Sequence, residues 1–186
     1  MVVTMHVLGV CGSLRAASIN AAALRVARRL APPQVRLAVY GGLGELPLFN
    51  PDLEACLPEP VRRWQRAVAA SDALLIASPE YAHGVTGTIK NALDWLVSYE
   101  PFVGKLVAVL NASPRAQHAG AALRETLTTM SAVIVERASV SIPLLGSGLT
   151  ESQMQRDLAI GAALRSCLGE LHDAFVGAGA IRVATP

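Results

Sequence analysis

Short runs of consecutive apolar residues alternate along the chain with segments in which apolar residues recur every three or four positions. The first run covers residues 5–10, and similar runs cover 35–40, 72–78, 106–110 and 132–135. Runs that are apolar throughout, rather than alternating with polar residues, are typical of strands buried on both faces of a parallel sheet. The pattern therefore predicts five parallel strands.

The segments that follow these runs carry apolar stripes at helical spacing. Ser18 precedes the first stripe as a typical N-cap, and Pro32 with Pro33 ends it. Thr150 and Gln153 have the spacing of a capping box, which predicts the start of a closing helix. The stripes are Ala22, Ala23, Val26, Ala27 and Leu30; Val61, Trp64 and Val68; Ile89, Leu93, Leu96 and Val97; Leu123, Leu127 and Met130; and Leu164, Leu168, Leu171 and Phe175.

Strands that alternate with helices predict an α/β fold with helices on both faces of the sheet. For five parallel strands we expect a flavodoxin-like three-layer α/β/α sandwich with strand order 2-1-3-4-5. The chain has 186 residues, enough for one core and few for two, so we expect residues 1–186 to form a single domain. Ligands of such sheets bind where the strand order reverses, beyond the carboxyl ends of the strands, which here are Gly12-Ser13, Ser78-Pro79 and Ala112-Ser113.

Composition narrows the possible functions. Hydrophobic residues make up 52% of the chain and charged residues 16%, which excludes a disordered chain. The net charge of +2 is spread without a basic run, so we expect no nucleic-acid partner. No apolar run reaches the roughly 18 residues that cross a bilayer, and residues 1–10 lack the features of a secretory leader. We therefore expect a cytoplasmic protein with no membrane partner.

Cysteines and histidines give no sign of a disulfide framework or a metal. The three cysteines lie far apart in the sequence, as expected in a reducing compartment. The four histidines form no pair or cluster at metal-ligand spacing, and we expect no metal.

The segment between the first strand and the first helix is suited to binding an anion. Hydroxyl and amide groups of Ser13, Ser18 and Asn20 surround the cationic Arg15 where a helix begins. Alternatively, Ser18 is only an N-cap and Arg15 a solvated loop residue. Motifs typical of nucleotide triphosphate or dinucleotide sites are absent from the sequence. Cys11 lies too close to Arg15 for a phosphatase loop, which favours a small buried residue over a nucleophile.

The segment after the third strand has features expected near a flat ligand. Pro79 turns the chain out of the sheet, and Gly84 and Gly87 allow the backbone to approach a ring without intervening side chains. The alternative is structural: Glu80 stabilises the loop and Tyr81 packs as an ordinary aromatic residue.

Residues 12–20, GSLRAASIN, and residues 78–96, SPEYAHGVTGTIKNALDWL, together resemble the NADPH-dependent FMN reductase family. This family includes flavin-dependent quinone, azo-dye and chromate reductases of bacteria. The resemblance implies an FMN cofactor, NADPH or NADH as co-substrate, and a small electron acceptor: a quinone, an azo compound, a metal oxyanion or free flavin. It also implies a homodimer or homotetramer. Trp95, Tyr99 and the loop 41–60 are candidate subunit contacts, and ordinary core or surface packing is the alternative for each.

The resemblance also implies which residues hold FMN. The first motif would bind its phosphate, the second would hold its ring, and the loop after the fourth strand would line its edge. The residues are Ser13, Leu14, Arg15, Ser18, Ile19 and Asn20; Pro79, Glu80, Tyr81, His83 and Gly84; and Ser113. Three features depart from the family pattern: Ala82 replaces a usual Asn, Thr86 replaces a usual Pro, and residues 114–118 replace a glycine-rich run.

No side chain has to act as an acid or base, because FMN itself carries the redox chemistry. We therefore nominate no catalytic residue. Two alternatives remain: an electron-transfer or redox-sensing FMN module that does not oxidise NAD(P)H efficiently, and a flavin-free phosphate-ester binder. Flavodoxins are usually strongly acidic, whereas this chain is slightly basic with Arg15 in the loop, which favours the reductase.

Overall fold

The structure, a computed structural model, describes the backbone of residues 3–184 and the side chains of residues 3–179. Four strands form the body of one parallel sheet, and each carries an almost unbroken apolar run. These strands are β1 (Met5–Cys11), β2 (Val35–Val39), β3 (Ala73–Ala77) and β4 (Leu106–Asn111).

The strand order is β2-β1-β3-β4-β5, which confirms the predicted order and the flavodoxin-like fold. The fifth position is filled by two short strands, β5 (Val133–Ile134) and β6 (Val140–Ser141), which both pair with β4. A 3₁₀ turn separates them. Ser139 bridges the gap, because its hydroxyl oxygen accepts a 3.1 Å hydrogen bond from the Val109 N–H. The strand predicted over 132–135 is therefore present as the shorter β5, and β6 is an additional strand that the sequence did not predict.

Helices cover both faces of the sheet. Alternate residues of β1 point to opposite faces, so that Val7 joins one apolar cluster and Leu8 the other. The helices are α1 (Ile19–Leu30), α2 (Glu59–Ala69), α3 (Gly87–Asp94), α4 (Gln117–Thr129), α5 (Glu151–Arg156) and α6 (Leu158–Ala184). Val7 lies in the cluster formed with α1, α5 and α6, and Leu8 in the cluster formed with α2, α3 and α4.

The closing helix differs from its prediction. The capping box at Thr150 and Gln153 is present, but the helix it starts is the short α5. Asp157 then adopts an extended conformation and its carboxylate caps α6, accepting a 2.9 Å bond from the Ile160 N–H. The predicted closing helix is therefore two helices, each with its own N-cap.

The third helix is shorter than its apolar stripe predicts. It ends at Asp94, so Val97 lies outside it and is 64% exposed. Trp95 is buried, and its indole N–H donates a 2.8 Å hydrogen bond to the Pro47 carbonyl. A ring buried in this way is part of the protein's own core, so of the two alternatives for Trp95 the structure supports core packing over a subunit contact.

The loop 41–60 is ordered by two 3₁₀ helices and by its contacts with α3. Asn91 closes the loop, donating to the Pro47 carbonyl at 2.9 Å and accepting from the Phe49 N–H at 2.8 Å. The 3₁₀ helices are Leu43–Glu45 and Pro51–Cys56. Across the described residues, the structure contains no helix with the length and apolar character that spanning a membrane requires.

Candidate functional site

A cleft of about 350 Å³ opens at the carboxyl ends of β1, β3 and β4. The loop after each of these strands contributes to its wall. This is the position where the strand order reverses, and it is where parallel sheets of this type bind ligands. Its volume falls within the range of small-molecule sites.

The β1–α1 loop presents the N-terminus of α1 to the cleft. Ser18 is buried and caps the helix, its hydroxyl oxygen accepting a 3.2 Å hydrogen bond from the Ala21 N–H. Ser13 shapes the loop by accepting a 3.4 Å bond from the Arg15 N–H. The first turn of α1 holds no acidic residue, so the positive end of the helix dipole is not neutralised from within the helix.

Asn20 is a buried polar side chain without a partner. It is 4% exposed and lines the cleft, and its Oδ1 has no hydrogen-bond partner among the described residues. Buried polar atoms in native proteins are nearly always bonded, and leaving one unpaired costs free energy. The Asn20 amide is therefore suited to bonding a ligand in the cleft.

Two arginine residues, Arg15 and Arg115, line the same cleft. Within the described part of the chain, neither forms an ion pair or a side-chain hydrogen bond. The acidic residue along the described lining is Glu80, and its carboxylate is bonded to α4. The cleft therefore carries excess positive charge and favours an anionic ligand.

The ends of β1 and β3 approach each other closely at the base of the cleft. A Cβ atom on Gly12 would lie 2.2 Å from the Ser78 Oγ, which no side chain permits. Gly12 is therefore required for this close approach.

The β3–α3 loop forms a tight two-residue turn beside the cleft. Tyr81 and Gly84 exchange backbone hydrogen bonds of 3.2 and 2.9 Å, as an antiparallel pair does. Between them, Ala82 and His83 both have positive φ, 48° and 58°. Positive φ at both central residues is typical of a type I′ turn, and it is strained for residues with a Cβ.

The β4–α4 loop is shaped by Asn111. Its side-chain oxygen accepts a 2.9 Å bond from the Ser113 N–H, and its amide donates to the Ala116 carbonyl at 3.4 Å. This local turn places Ser113 and Arg115 along the cleft.

Nine of the twelve residues predicted to bind the cofactor line the cleft. They are Ser13, Arg15, Ser18, Ile19, Asn20, Pro79, Glu80, Tyr81 and Ser113. The other three, Leu14, His83 and Gly84, are not among the lining residues. Leu14 is 63% exposed and its side chain lies over Gly44, while the His83 ring packs edge-on against His118 with centroids 4.4 Å apart.

The cleft also contains residues that sequence reasoning missed. Leu145 lies far along the chain and reaches the cleft because its N–H donates a 2.9 Å bond to the Ala112 carbonyl. No local pattern indicates that contact. Arg115 could have been predicted from the sequence, because it follows a strand end at the ligand-binding edge of the sheet. Ser78 and Ala112 also line the cleft, at two of the strand ends where the sequence predicted a ligand. The missed residues are Ala17, Asn111, Arg115, Ala116 and Leu145.

Residues 5–144 match the family model of the NADPH-dependent FMN reductases, and this range includes all three cleft-forming loops. The chain belongs to the NADPH-dependent FMN reductase family. This confirms the family that the two motifs predicted, and it makes the chain an oxidoreductase. The chain has an arginine, Arg15, and two serines, Ser13 and Ser18, around the start of its first helix.

Individual relatives agree with this assignment. An NAD(P)H-dependent FMN reductase of Pseudomonas aeruginosa is 40% identical over 149 residues, covering 74% of this chain and 77% of the relative. A quinone reductase of Pseudomonas putida is 40% identical over 113 residues, covering 58% of this chain and 59% of the relative. Among solved structures, FerB of Paracoccus denitrificans, a flavoenzyme NAD(P)H:(acceptor) oxidoreductase, matches with a TM-score of 0.68 at 28% identity, covering 94% of this chain and 96% of FerB.

Proposed function

We propose that this reductase binds FMN in the cleft, with the phosphate at the N-terminus of α1 and the ring between the loops after β3 and β4. Reduced nicotinamide, NADPH or NADH, supplies the electrons, and a small molecule such as a quinone receives them. The observation that carries this proposal is the position of Arg15, which has no ion pair with any described residue, beside a helix N-terminus whose first turn holds no acidic residue, in a cleft where the strand order reverses.

The residues present fit a phosphate. The Ser18 and Ser13 hydroxyls, the Arg15 guanidinium and the backbone N–H groups that open α1 offer neutral and charged donors together. The orphaned Asn20 amide lies in the same wall, and rotating it by half a turn exchanges its oxygen for an N–H₂ donor. A bound phosphate would satisfy that amide.

The rest of the cleft fits a largely apolar ring. Pro79, Ala112, Ala116 and Leu145 supply apolar lining opposite the polar phosphate end. FMN, when bound, accepts hydride from a reduced nicotinamide and passes electrons to the acceptor. The protein's part is to hold the phosphate, exclude water along the apolar wall and leave the open side of the cleft accessible to substrates.

The acceptor class is inferred from relatives. The Pseudomonas putida relatives are quinone reductases, and quinones are the acceptors we propose first. Azo compounds, metal oxyanions and free flavin are the other acceptors to be compared. The family assignment favours a reductase over a module that only transfers or senses electrons.

We also propose that the enzyme works in the cytoplasm as a homodimer or homotetramer. Its three cysteines are all free, as suits a reducing compartment. Leu53 and Val97 are exposed apolar side chains on segments joined by a 2.7 Å hydrogen bond from Ser98 to Glu54, and they offer a contact surface. Sedimentation equilibrium measures the oligomeric state directly.

The test of function is a spectrum. Purified protein is mixed with FMN, desalted, and then treated anaerobically with NADPH or NADH before a quinone is added. We expect retained flavin that bleaches within seconds and recovers its absorbance when the quinone is added. Retained flavin that neither nucleotide bleaches would support the electron-transfer alternative, and loss of all flavin on desalting would refute FMN binding.

A further inference from the structure

Glu80 joins two of the loops that form the cleft. It belongs to the loop after β3, yet its Oε2 accepts a 2.8 Å hydrogen bond from the N–H of Ala119, the third residue of α4. That N–H is one of the donors at a helix start that no residue within the helix can satisfy. Ala116, which precedes α4, offers no side-chain cap. A residue from a different loop therefore caps this helix.

Both oxygens of the Glu80 carboxylate have protein partners. While Oε2 is bonded to Ala119, Oε1 lies 3.4 Å from the Nδ1 of His83. The side chain is only 14% exposed, so water screens these contacts little. Because Oε2 is bonded to Ala119 and the side chain is mostly buried, that oxygen serves the link to α4, even though Glu80 lines the cleft.

The two loops joined by Glu80 are the ones between which the ring would lie. Pro79 and Tyr81 line the cleft on one side, and Ser113 and Arg115 line it on the other. Each loop is anchored to the sheet at its strand end. The contact from Glu80 to Ala119 adds a second link, between the β3–α3 loop and the start of α4, which limits how far the two can separate.

We propose that Glu80 is a positioning residue. By bonding α4, it holds the β3–α3 loop at the separation from α4 that the flavin ring requires. This rests on the proposed function, because that separation matters only if a flat ring lies between the loops. It differs from direct contact with the flavin, the role that the family resemblance implies, and it extends the structural alternative, in which Glu80 stabilises its own loop, to a contact with α4.

A simple helix cap would stabilise α4 without affecting the reaction, so the test must separate the two roles. Glu80→Gln keeps an oxygen that accepts the Ala119 N–H. Glu80→Asp keeps the charge but is one methylene too short to reach, and Glu80→Ala removes the contact. Glu59→Ala is the matched control, because it removes a carboxylate that is bonded to Arg62 and Arg66 on α2 and does not line the cleft.

The first measurement uses apoprotein and follows amide hydrogen exchange at Ala119 by NMR. We expect about tenfold faster exchange in Glu80→Ala and Glu80→Asp, and little change in Glu80→Gln and Glu59→Ala. Equal exchange of the Ala119 amide in Glu80→Ala and wild type would show that Glu80 does not bond Ala119, and would overturn the proposal. Glu80→Gln behaving like Glu80→Ala would also overturn it, because charge rather than hydrogen-bond acceptance would then be responsible.

The second measurement uses FMN-loaded protein and steady-state kinetics. We expect kcat/KM for both the nicotinamide and the quinone to fall about tenfold in Glu80→Ala and Glu80→Asp, with rescue in Glu80→Gln. Unchanged kcat/KM despite faster exchange at Ala119 would make Glu80 a helix cap only and overturn its positioning role. Wild-type protein that retains no FMN would instead refute the proposed function. Amide exchange at Ala119 would still decide whether Glu80 bonds α4.

Discussion

The Thr86 hydroxyl donates a 2.6 Å hydrogen bond to the carbonyl oxygen of Gly12, joining the start of α3 to the end of β1 at the base of the cleft. The same hydroxyl oxygen accepts from the Ile89 N–H at 3.2 Å and so caps α3. The family resemblance leads one to expect proline at this position, and proline would provide neither bond. Thr86 thus links the end of β1 to the start of α3 by hydrogen bonds that a proline could not provide.

Replacing Thr86 with alanine is expected to lower the free energy of unfolding by about 1–3 kcal/mol, since it removes a cap and leaves the Gly12 carbonyl without this donor. Thr86→Ser keeps the hydroxyl and is expected to retain most of that stability. Urea denaturation of the apoprotein measures both. A loss in Thr86→Ala below about 0.5 kcal/mol, the range of ordinary surface changes, would contradict the assigned role.

Ala82 is expected to be a strained position that asparagine relieves. Its φ of 48° lies in the left-handed region, which asparagine tolerates better than alanine. Ala82→Asn is therefore expected to raise the free energy of unfolding by about 0.5–1 kcal/mol. For a chain of this size, a gain of 1 kcal/mol corresponds to a Tm increase of about 2–4 °C, measured by thermal unfolding.

The matched control for this change is Ala70→Asn. Ala70 is also exposed and lies at the C-cap of α2, but its φ is −75°, so asparagine relieves no strain there. We expect Tm to stay unchanged or fall in the control. If the two variants shift Tm equally, the effect at Ala82 does not come from its backbone conformation.

Glu151 is expected to make stability depend on pH in the acid range. Hydrogen bonds from Arg25 and then Arg29 hold the pKa of its carboxyl below the ordinary value of 4.5. A lowered folded-state pKa stabilises the fold above the unfolded-state pKa, and that contribution is lost as pH falls through the folded-state value. Glu151→Gln should therefore flatten the fall in stability below about pH 5, by about 1 kcal/mol or less for such partly exposed pairs.

The control is Glu125→Gln, which removes an exposed carboxylate that has no ion pair among the described residues. Its stability profile against pH should follow that of wild type. Denaturation midpoints measured from pH 7 to pH 3 compare the three proteins. An unchanged acid slope in Glu151→Gln would show that the two arginines do not lower the pKa of Glu151 effectively.

The three cysteines are expected to differ sharply in reactivity. Cys56 is exposed, Cys11 and Cys167 are buried, and burial raises the pKa of the Cys167 thiol to about 12. The reactive form is the thiolate, so one thiol of the native protein should react quickly with a disulfide reagent at pH 8. Cys56→Ser should abolish that fast reaction, and unfolding should expose all three. Fast reaction of a second thiol in the native protein would show that the core opens readily.

Much of the fold was predictable because local signals agreed with one another. The same sheet is indicated by the apolar run at 5–10, the cap at Ser18 and the breaks after each strand. The strand order 2-1-3-4-5 is the one expected for a flavodoxin-like sheet of five parallel strands. The fifth strand was harder to predict. Its pairing is split, and the gap is bridged by Ser139 through a side-chain bond that no periodicity reveals.

The site was predictable to the extent that it is local in sequence. Ser13 to Asn20 form one loop and helix start, so the type and order of these residues are enough to indicate an anion site. A stabilising role for Glu80 was among the alternatives, but its partner could not be predicted in this way, because Ala119 lies 39 residues further along the chain. Leu145 likewise reaches the cleft only through a long-range backbone contact.

The most direct test of the central claim, that the α1 N-terminus and Arg15 hold the phosphate of FMN, compares FMN with riboflavin, which lacks that phosphate. Fluorescence titration gives Kd for both ligands in wild type and in Arg15→Ala. We expect wild type to prefer FMN by about 100-fold or more, and Arg15→Ala to reduce that preference about tenfold, the effect of one charged hydrogen bond. Equal affinity for FMN and riboflavin in wild type, or an unchanged preference in Arg15→Ala, would contradict the claim.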